Sequence, residues 1–160
     1  MTFDAATLNQ LFRYCLALSN DSADAQDLLQ SAIEAYLRRP GSVSQPVAYI
    51  RQSARNRFYD QWRRHQRLRF ESLVNPDLVA GVEQDLERAM IDQQAVAAIN
   101  DLLSPQEREC VFLWAVEGLT ATEIAEQLGE PRGTILSRLH RLKQRLQRSG
   151  FWFAEGQHYG

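Results

Sequence analysis

Apolar residues recur at steps of three and four along most of the chain, the period of a helix with one buried face. Leu8, Leu11, Phe12, Cys15, Leu16 and Leu18 make the first such stripe. Asn20-Asp21-Ser22 interrupts it, with Ser22 or Asp24 expected to cap the next helix. Leu28, Leu29, Ala32, Ile33, Tyr36 and Leu37 form the second stripe, ended by Pro40-Gly41, and Pro40 to Pro46 reads as a loop. A third helix is expected from about Val47 to Gln66, with Ile50, Ala54, Phe58 and Trp62 facing inward. The pattern weakens from Phe70 to Val82, where Asn75-Pro76-Asp77 and Gly81 mark a linker. Helical spacing resumes at Leu86, Met90, Val96, Ile99 and Leu103.

Two strong helix starts come next. Ser104-Pro105-Gln106-Glu107 places Ser at the cap, Pro at the first position and Glu three residues on; Thr120-Ala121-Thr122-Glu123 repeats the capping box. Val111, Phe112, Trp114 and Ala115 continue the first of these helices, which Gly118 is expected to close. Ile124, Ala125 and Leu128 give the second its apolar face. Gly129-Glu130-Pro131 reads as a turn, and a last helix from about Arg132 to Ser149 turns Ile135, Leu139, Leu142 and Leu146 inward. No segment alternates like a strand. The expected fold is all-α, with two small helical domains. These are residues 1–69, a flexible linker over 70–82, a helix-turn-helix domain over 83–149, and a short tail over 150–160 whose Phe151-Trp152-Phe153 is expected to pack back.

Composition adds little to this, but the distribution of charge adds much. At 44% hydrophobic and 24% charged residues the chain is ordinary globular material, neither disordered nor a rod. The net charge of −2 conceals two basic blocks. Residues 49–69 hold seven arginines against Asp60 alone, and residues 131–149 hold six bases and no acid. Between them, residues 71–95 carry six acids against Arg88. Two basic blocks on helices suit polyanion binding, or else two solvated helix faces. The chain has no membrane-length apolar run and no signal-like N-terminus, and a cytoplasmic protein is expected. Cys15 and Cys110 lie far apart in apolar stretches, so two reduced, buried thiols are expected rather than a disulfide or a metal site. His65, His140 and His158 are scattered, with no nucleophile or paired acids beside them. No enzyme activity, metal or other cofactor is expected.

Thr120 to Leu146 has the layout of a DNA-reading helix-turn-helix. The small Ala125 stands where two helices must cross closely. The outward set of the second helix includes Arg132, Thr134, Ser137, Arg138 and Arg141, with Lys143 beyond. Such a helix enters the major groove, where arginine takes a guanine edge and Thr or Ser bonds a base or phosphate.

The run Leu103-Ser104-Pro105-Gln106-Glu107-Arg108-Glu109, then Glu117-Gly118-Leu119-Thr120, Glu123-Ile124-Ala125, Leu128-Gly129 and Gly133-Thr134-Ile135-Leu136-Ser137-Arg138-Leu139-His140-Arg141, resembles the promoter-binding C-terminal domain of extracytoplasmic-function (ECF) sigma factors. The chain departs from that family at Leu136, where a basic residue is common. Upstream, Asp24-Ala25-Gln26-Asp27-Leu28-Leu29-Gln30-Ser31-Ala32 resembles the family's polymerase-binding helix. The resemblance implies that Asp24, Asp27, Leu28, Gln30 and Glu34 dock on the clamp helices of the largest subunit of core RNA polymerase. Tyr49 to Arg64 resembles the family's −10 reader, which implies roles for Tyr49, Arg51, Arg55, Asn56, Arg57, Tyr59, Asp60, Trp62, Arg63 and Arg64. Single-stranded bases stack on aromatic rings while arginines hold phosphates. Phe58 and Trp62 continue the buried stripe, however, and core packing competes with stacking at each aromatic. The loop from Arg39 to Gln45 sits where the family captures a flipped base.

By the same resemblance, Arg132, Thr134, Ser137, Arg138, Arg141 and Lys143 read the −35 element. The function implied is that of an alternative sigma factor, with promoter DNA, core polymerase and an anti-sigma factor as partners. A stand-alone helix-turn-helix regulator is the alternative; it accounts for residues 104–148 but not for the two upstream segments. The −10 and −35 elements lie about 25 base pairs apart, roughly 85 Å at about 3.4 Å per pair. A 13-residue coil spans only about 20 Å, so weak promoter binding is expected without polymerase to hold the domains apart.

Overall fold

The computed structural model describes residues 3–71 and 99–148, every element of which is helical. The chain divides into two compact units, Met1–Val74 and Asn75–Gly160. The all-α architecture with two helical units is thus the fold. The expected linker beyond residue 71, the stripe of Leu86, Met90 and Val96, and the aromatic tail lie outside the described residues.

The first unit packs three helices, α1 (Ala5–Ser19), α2 (Ser22–Leu37) and α3 (Pro46–Glu71), each against the other two. Asp4 caps α1, its side chain accepting from the Thr7 N–H at 2.8 Å. Asn20 closes α1 in the left-handed region at φ 55°, donating its N–H to Leu16 O; Asn tolerates that conformation because its short amide bonds locally. The cap of α2 is Asp21, not Ser22 or Asp24. Its side chain accepts from the Asp24 N–H at 2.9 Å, so the break and the next helix start share one short segment. The 40–46 loop contains a single 3₁₀ turn, Pro40–Ser42. Helix α3 outruns its expected end by more than a turn, because nothing in its arginine-rich second half breaks a helix.

Leu11, Cys15, Ala25, Leu28, Ala32, Tyr36, Ile50 and Ala54 form the core of this unit. Phe58 and Tyr49 pack partly against it. Tyr14 and Leu18 are buried as well.

In the second unit, residues 99–102 are helical and lead through Ser104 into α4 (Pro105–Val111). The Ser104 capping box is complete in both directions: Ser104 accepts from the Glu107 N–H, and Glu107 accepts from the Ser104 N–H. Helix α4 does not run unbroken to Gly118. It widens into a π-turn over Phe112–Val116, where the Glu117 N–H reaches back to Phe112 O at 3.1 Å. Gly118 then takes φ 70°, and the Leu119 N–H bonds Leu113 O, one residue further back than a Schellman closure would reach, in keeping with the widened turn. Helices α5 (Ala121–Leu128, capped by a second complete box at Thr120) and α6 (Arg132–Arg148) complete the unit, joined by a turn with Gly129 at φ 67°. Ile124, Ala125, Ile135, Leu139, Leu142 and Leu146 are all buried. Among the described residues no helix is long and apolar enough to cross a membrane.

Cys15 and Cys110 are free and buried, and burial pushes both thiols up to about 11 despite the charges of Arg51 and Arg138 nearby. Because the thiolate is the nucleophile, both are expected to react slowly with a thiol reagent in the native protein at pH 8. Both should be titrated at once after unfolding in guanidinium. Immediate labelling of either without denaturant would contradict this burial.

Candidate nucleic-acid interface

Helix α3 sorts its charged residues by face. Gln52, Asn56, Asp60, Arg63 and Arg67 recur at steps of four and three and are all exposed. Gln52 donates to Asn56 at 2.9 Å, and Arg63 pairs with Asp60 at 2.8 Å. Arg64 is exposed beside them. Arg51, by contrast, is half-buried with its guanidinium 4.3 Å from the centroid of the Tyr14 ring. Arg55 lies 4.8 Å from the ring centroid of Tyr59. Tyr59 is only 7% exposed and packs edge-on against Phe58 and Trp62, so its ring is committed within the unit. Tyr49 is half-buried and tilted against Tyr36.

Asp24, Asp27, Gln30 and Glu34 are exposed on one edge of α2, and Gln30 donates to Glu34 at 3.3 Å. Leu28, between them, is buried in the core and anchors that edge. The edge forms one wall of a cleft of about 450 Å³ whose opposite wall includes Arg57, Trp62 and His65. The fold thereby brings two residues of the expected −10 set, Arg57 and Trp62, beside the set expected to dock on polymerase.

Helix α6 is sorted in the same way. Thr134, Ser137, Arg141, Gln144 and Arg148 form an exposed stripe, opposite the buried Ile135, Leu139, Leu142 and Leu146. Arg132, at its start, donates from Nε to Thr122 Oγ1 of α5 at 3.1 Å. Lys143 and Leu136 are half-buried on the flanks. Arg138 is unlike the exposed arginines. Its Nη1 lies 2.8 Å from Glu130 Oε2, with side chains only 17% and 29% exposed, and its charge reaches Cys110 of α4. It ties α6 to the turn and to α4. Removing one partner of such a pair leaves the other poorly solvated, at about 1–3 kcal/mol. Glu130→Gln and Arg138→Gln are each expected to lower the Tm of this unit, and the double variant should cost clearly less than their sum. Additive losses in thermal unfolding would show that the pair does not couple.

The expected site residues leave out Glu130, Thr122 and Gln52. Each is a partner set by the fold, and only Gln52, one helical turn before Asn56, carries a local signal.

Residues 5–68 match the family model described as Sigma-70 region 2, and residues 93–146 match the one described as Sigma-70, region 4. An RNA polymerase sigma-E factor of Streptomyces avermitilis is 32% identical over 142 residues, which cover 86% of this chain and 76% of that protein. The chain belongs to the ECF sigma factors of the sigma-70 family. An ECF RNA polymerase sigma factor SigE of Mycolicibacterium smegmatis is 31% identical over 148 residues, and there this sigma factor spans 56% of the relative's length. The sigma factor RpoE, solved in complex with the anti-sigma factor NepR from Bartonella quintana, superposes with a TM-score of 0.65 at 25% identity over 90% of this sigma factor and 91% of that chain.

Proposed function

We propose that this sigma factor binds core RNA polymerase and directs it to promoters that carry a −10 and a −35 element, starting transcription of one regulon. The observation that carries the reading is the presence of regions 2 and 4, in that order, on two separate helical units, each presenting an exposed polar stripe with arginines along one long helix. In this reading Asp24, Asp27, Gln30 and Glu34 dock on polymerase, with Leu28 holding their helix in register. Asn56, Arg63 and Arg64 meet the opened −10 strand, with Arg57, Asp60, Tyr49 and Trp62 at its margin. Arg51, Arg55 and Tyr59 act one layer inward, fixing the stripe from within. Arg132, Thr134, Ser137 and Arg141 meet the −35 duplex, Lys143 flanks them, and Arg138 holds the reading helix in place. The protein is a binding subunit without a catalytic step of its own, working in the cytoplasm beside polymerase. An anti-sigma factor is a fitting regulatory partner, since the superposing RpoE was solved with one.

The test is run-off transcription with purified core polymerase on a library of promoter fragments, with and without this protein. Transcripts that appear only when it is added support the reading and return its promoter sequence. Specific duplex binding without polymerase, and no dependent transcript, would favour the stand-alone regulator instead.

A further inference from the structure

The C-terminal half of α6 has a feature that its groove-entering half lacks. Arg145 lies 13 residues beyond Arg132, or about 20 Å along a helix rising 1.5 Å per residue. The major groove is about 12 Å wide. When the first turns of α6 sit in the groove, its later turns therefore reach the groove edge, where the phosphates run. There α6 and the start of α4 enclose a cleft of about 420 Å³, lined by Ser104, Gln106, Glu107, Arg138, Arg141 and Arg145.

Three guanidiniums line one cleft, and each is held differently. Arg138 is committed to Glu130. Arg141 is exposed and bonds its own helix at Ser137 O from Nε, at 3.3 Å. Arg145 is half-exposed, and its Nη2 stands 3.0 Å from both carboxylate oxygens of Glu107. Glu107 is mostly buried, yet its carboxyl sits below the ordinary range. Burial pushes it up, but the Ser104 N–H and Arg145 together outweigh that. The bond from the Ser104 N–H keeps Glu107 satisfied as the capping acceptor even when Arg145 swings away.

We propose that this cleft is a seat for one DNA backbone phosphate, with Arg141, Arg145 and Gln106 as its donors, and that Glu107 is the resident anion which the phosphate displaces from Arg145. The proposal rests on the reading of α6 as the duplex-reading helix. Glu107 then acts as a gate. Only the Arg145 side of the pair is half-exposed to solvent, which weakens it, so a phosphate in the right place competes for Arg145, while a helix held out of register gains nothing from it.

The experiment measures anisotropy of a short fluorescein-labelled duplex titrated with the full chain, between about 50 and 200 mM salt, where each phosphate contact adds about 0.9 to the slope of log K against log salt. Arg145→Gln is expected to flatten the slope by about that much, and Arg145→Lys to restore it. Glu107→Gln keeps an acceptor for the Ser104 N–H, so the cap survives, and should tighten binding by about two- to fivefold. That gain should vanish in the Arg145→Gln background. A slope unchanged in Arg145→Gln, with its thermal unfolding like that of the wild type, overturns the seat. A Glu107→Gln gain that persists without Arg145 is a general charge effect and overturns the gate. If the wild-type chain binds no duplex even at about 50 mM salt, the seat is overturned, while run-off transcription with core polymerase still decides the duplex-reading assignment of α6.

Discussion

Asp27→Arg is expected to abolish run-off transcription dependent on this sigma factor while leaving the protein folded. Asp27 is exposed on α2, one residue before the buried Leu28, so its side chain leaves the unit where the helix is most firmly anchored. Arginine is a good helix former, and the site has no packing to lose. The change instead acts on the cleft wall that Asp27 shares with Asp24 and Glu34. An acidic edge selects a basic partner, and a reversed charge turns attraction into repulsion. Loss of a desolvated charge pair at an interface costs about 2–5 kcal/mol, a fall in affinity of roughly 30- to several-thousand-fold. Co-purification with core polymerase and run-off transcription should fail together, with unchanged circular dichroism and Tm. Transcription that persists at wild-type polymerase concentrations would remove Asp27 from the docking surface. Glu34→Arg, about two turns further along the same edge, should show the same defect if the edge acts as a unit.

The two helical units and the two capping boxes of the second are legible in the sequence because they rest on local physics, whereas the cap of α2 fell to Asp21 rather than Ser22 or Asp24. The period of Leu28, Ala32 and Tyr36 declares a buried face without knowledge of its partner. Ser104 with Glu107, and Thr120 with Glu123, declare helix starts because both halves of each box lie within four residues. The π-turn at Phe112–Val116 has no comparable signal. The same apolar residues suit an α-helix, and only the pull of Gly118 and the Leu119–Leu113 closure distinguishes them.

The arginines mark where legibility ends. A basic run on a helix puts charge all around the cylinder, and the sequence does not tell a cation that faces water from one that packs inward. Arg51 is claimed by Tyr14, 37 residues away on α1. Arg138 is claimed by Glu130 across a turn. Counting bases therefore overstates how many phosphates either block can neutralise. Trp62 illustrates the same point for aromatics. Its stripe position predicts packing and its motif position predicts stacking, and the fold sets it half-buried against Tyr59, at the edge of the cleft with Asp27.

The largest loss of stability is expected at Ile135. This side chain is fully buried where α6 packs on α5, in the set that includes Ile124, Ala125 and Leu139. Ile→Ala in a core removes the transfer free energy of the lost methyl groups and leaves a cavity, at about 2–5 kcal/mol. Small domains hold only about 5–15 kcal/mol in total, and a change of that size should lower the Tm of the second unit by about 10–30 °C. The first unit has a separate core, built on Leu11, Leu28 and Ile50, and nothing in that core is altered. Calorimetry should therefore show one transition displaced and the other retained. At a temperature between the two, the variant should still bind core polymerase through α2 but no longer support transcription from promoters that depend on the −35 contact. If both transitions moved together, the two units would be one cooperative fold, and the division of labour between polymerase docking and −35 reading could not be separated by heating. Ile135→Val, which removes a single methylene at about 0.5–1.5 kcal/mol, gives the graded control. Its shift should be a fraction of the alanine shift and fall on the same transition.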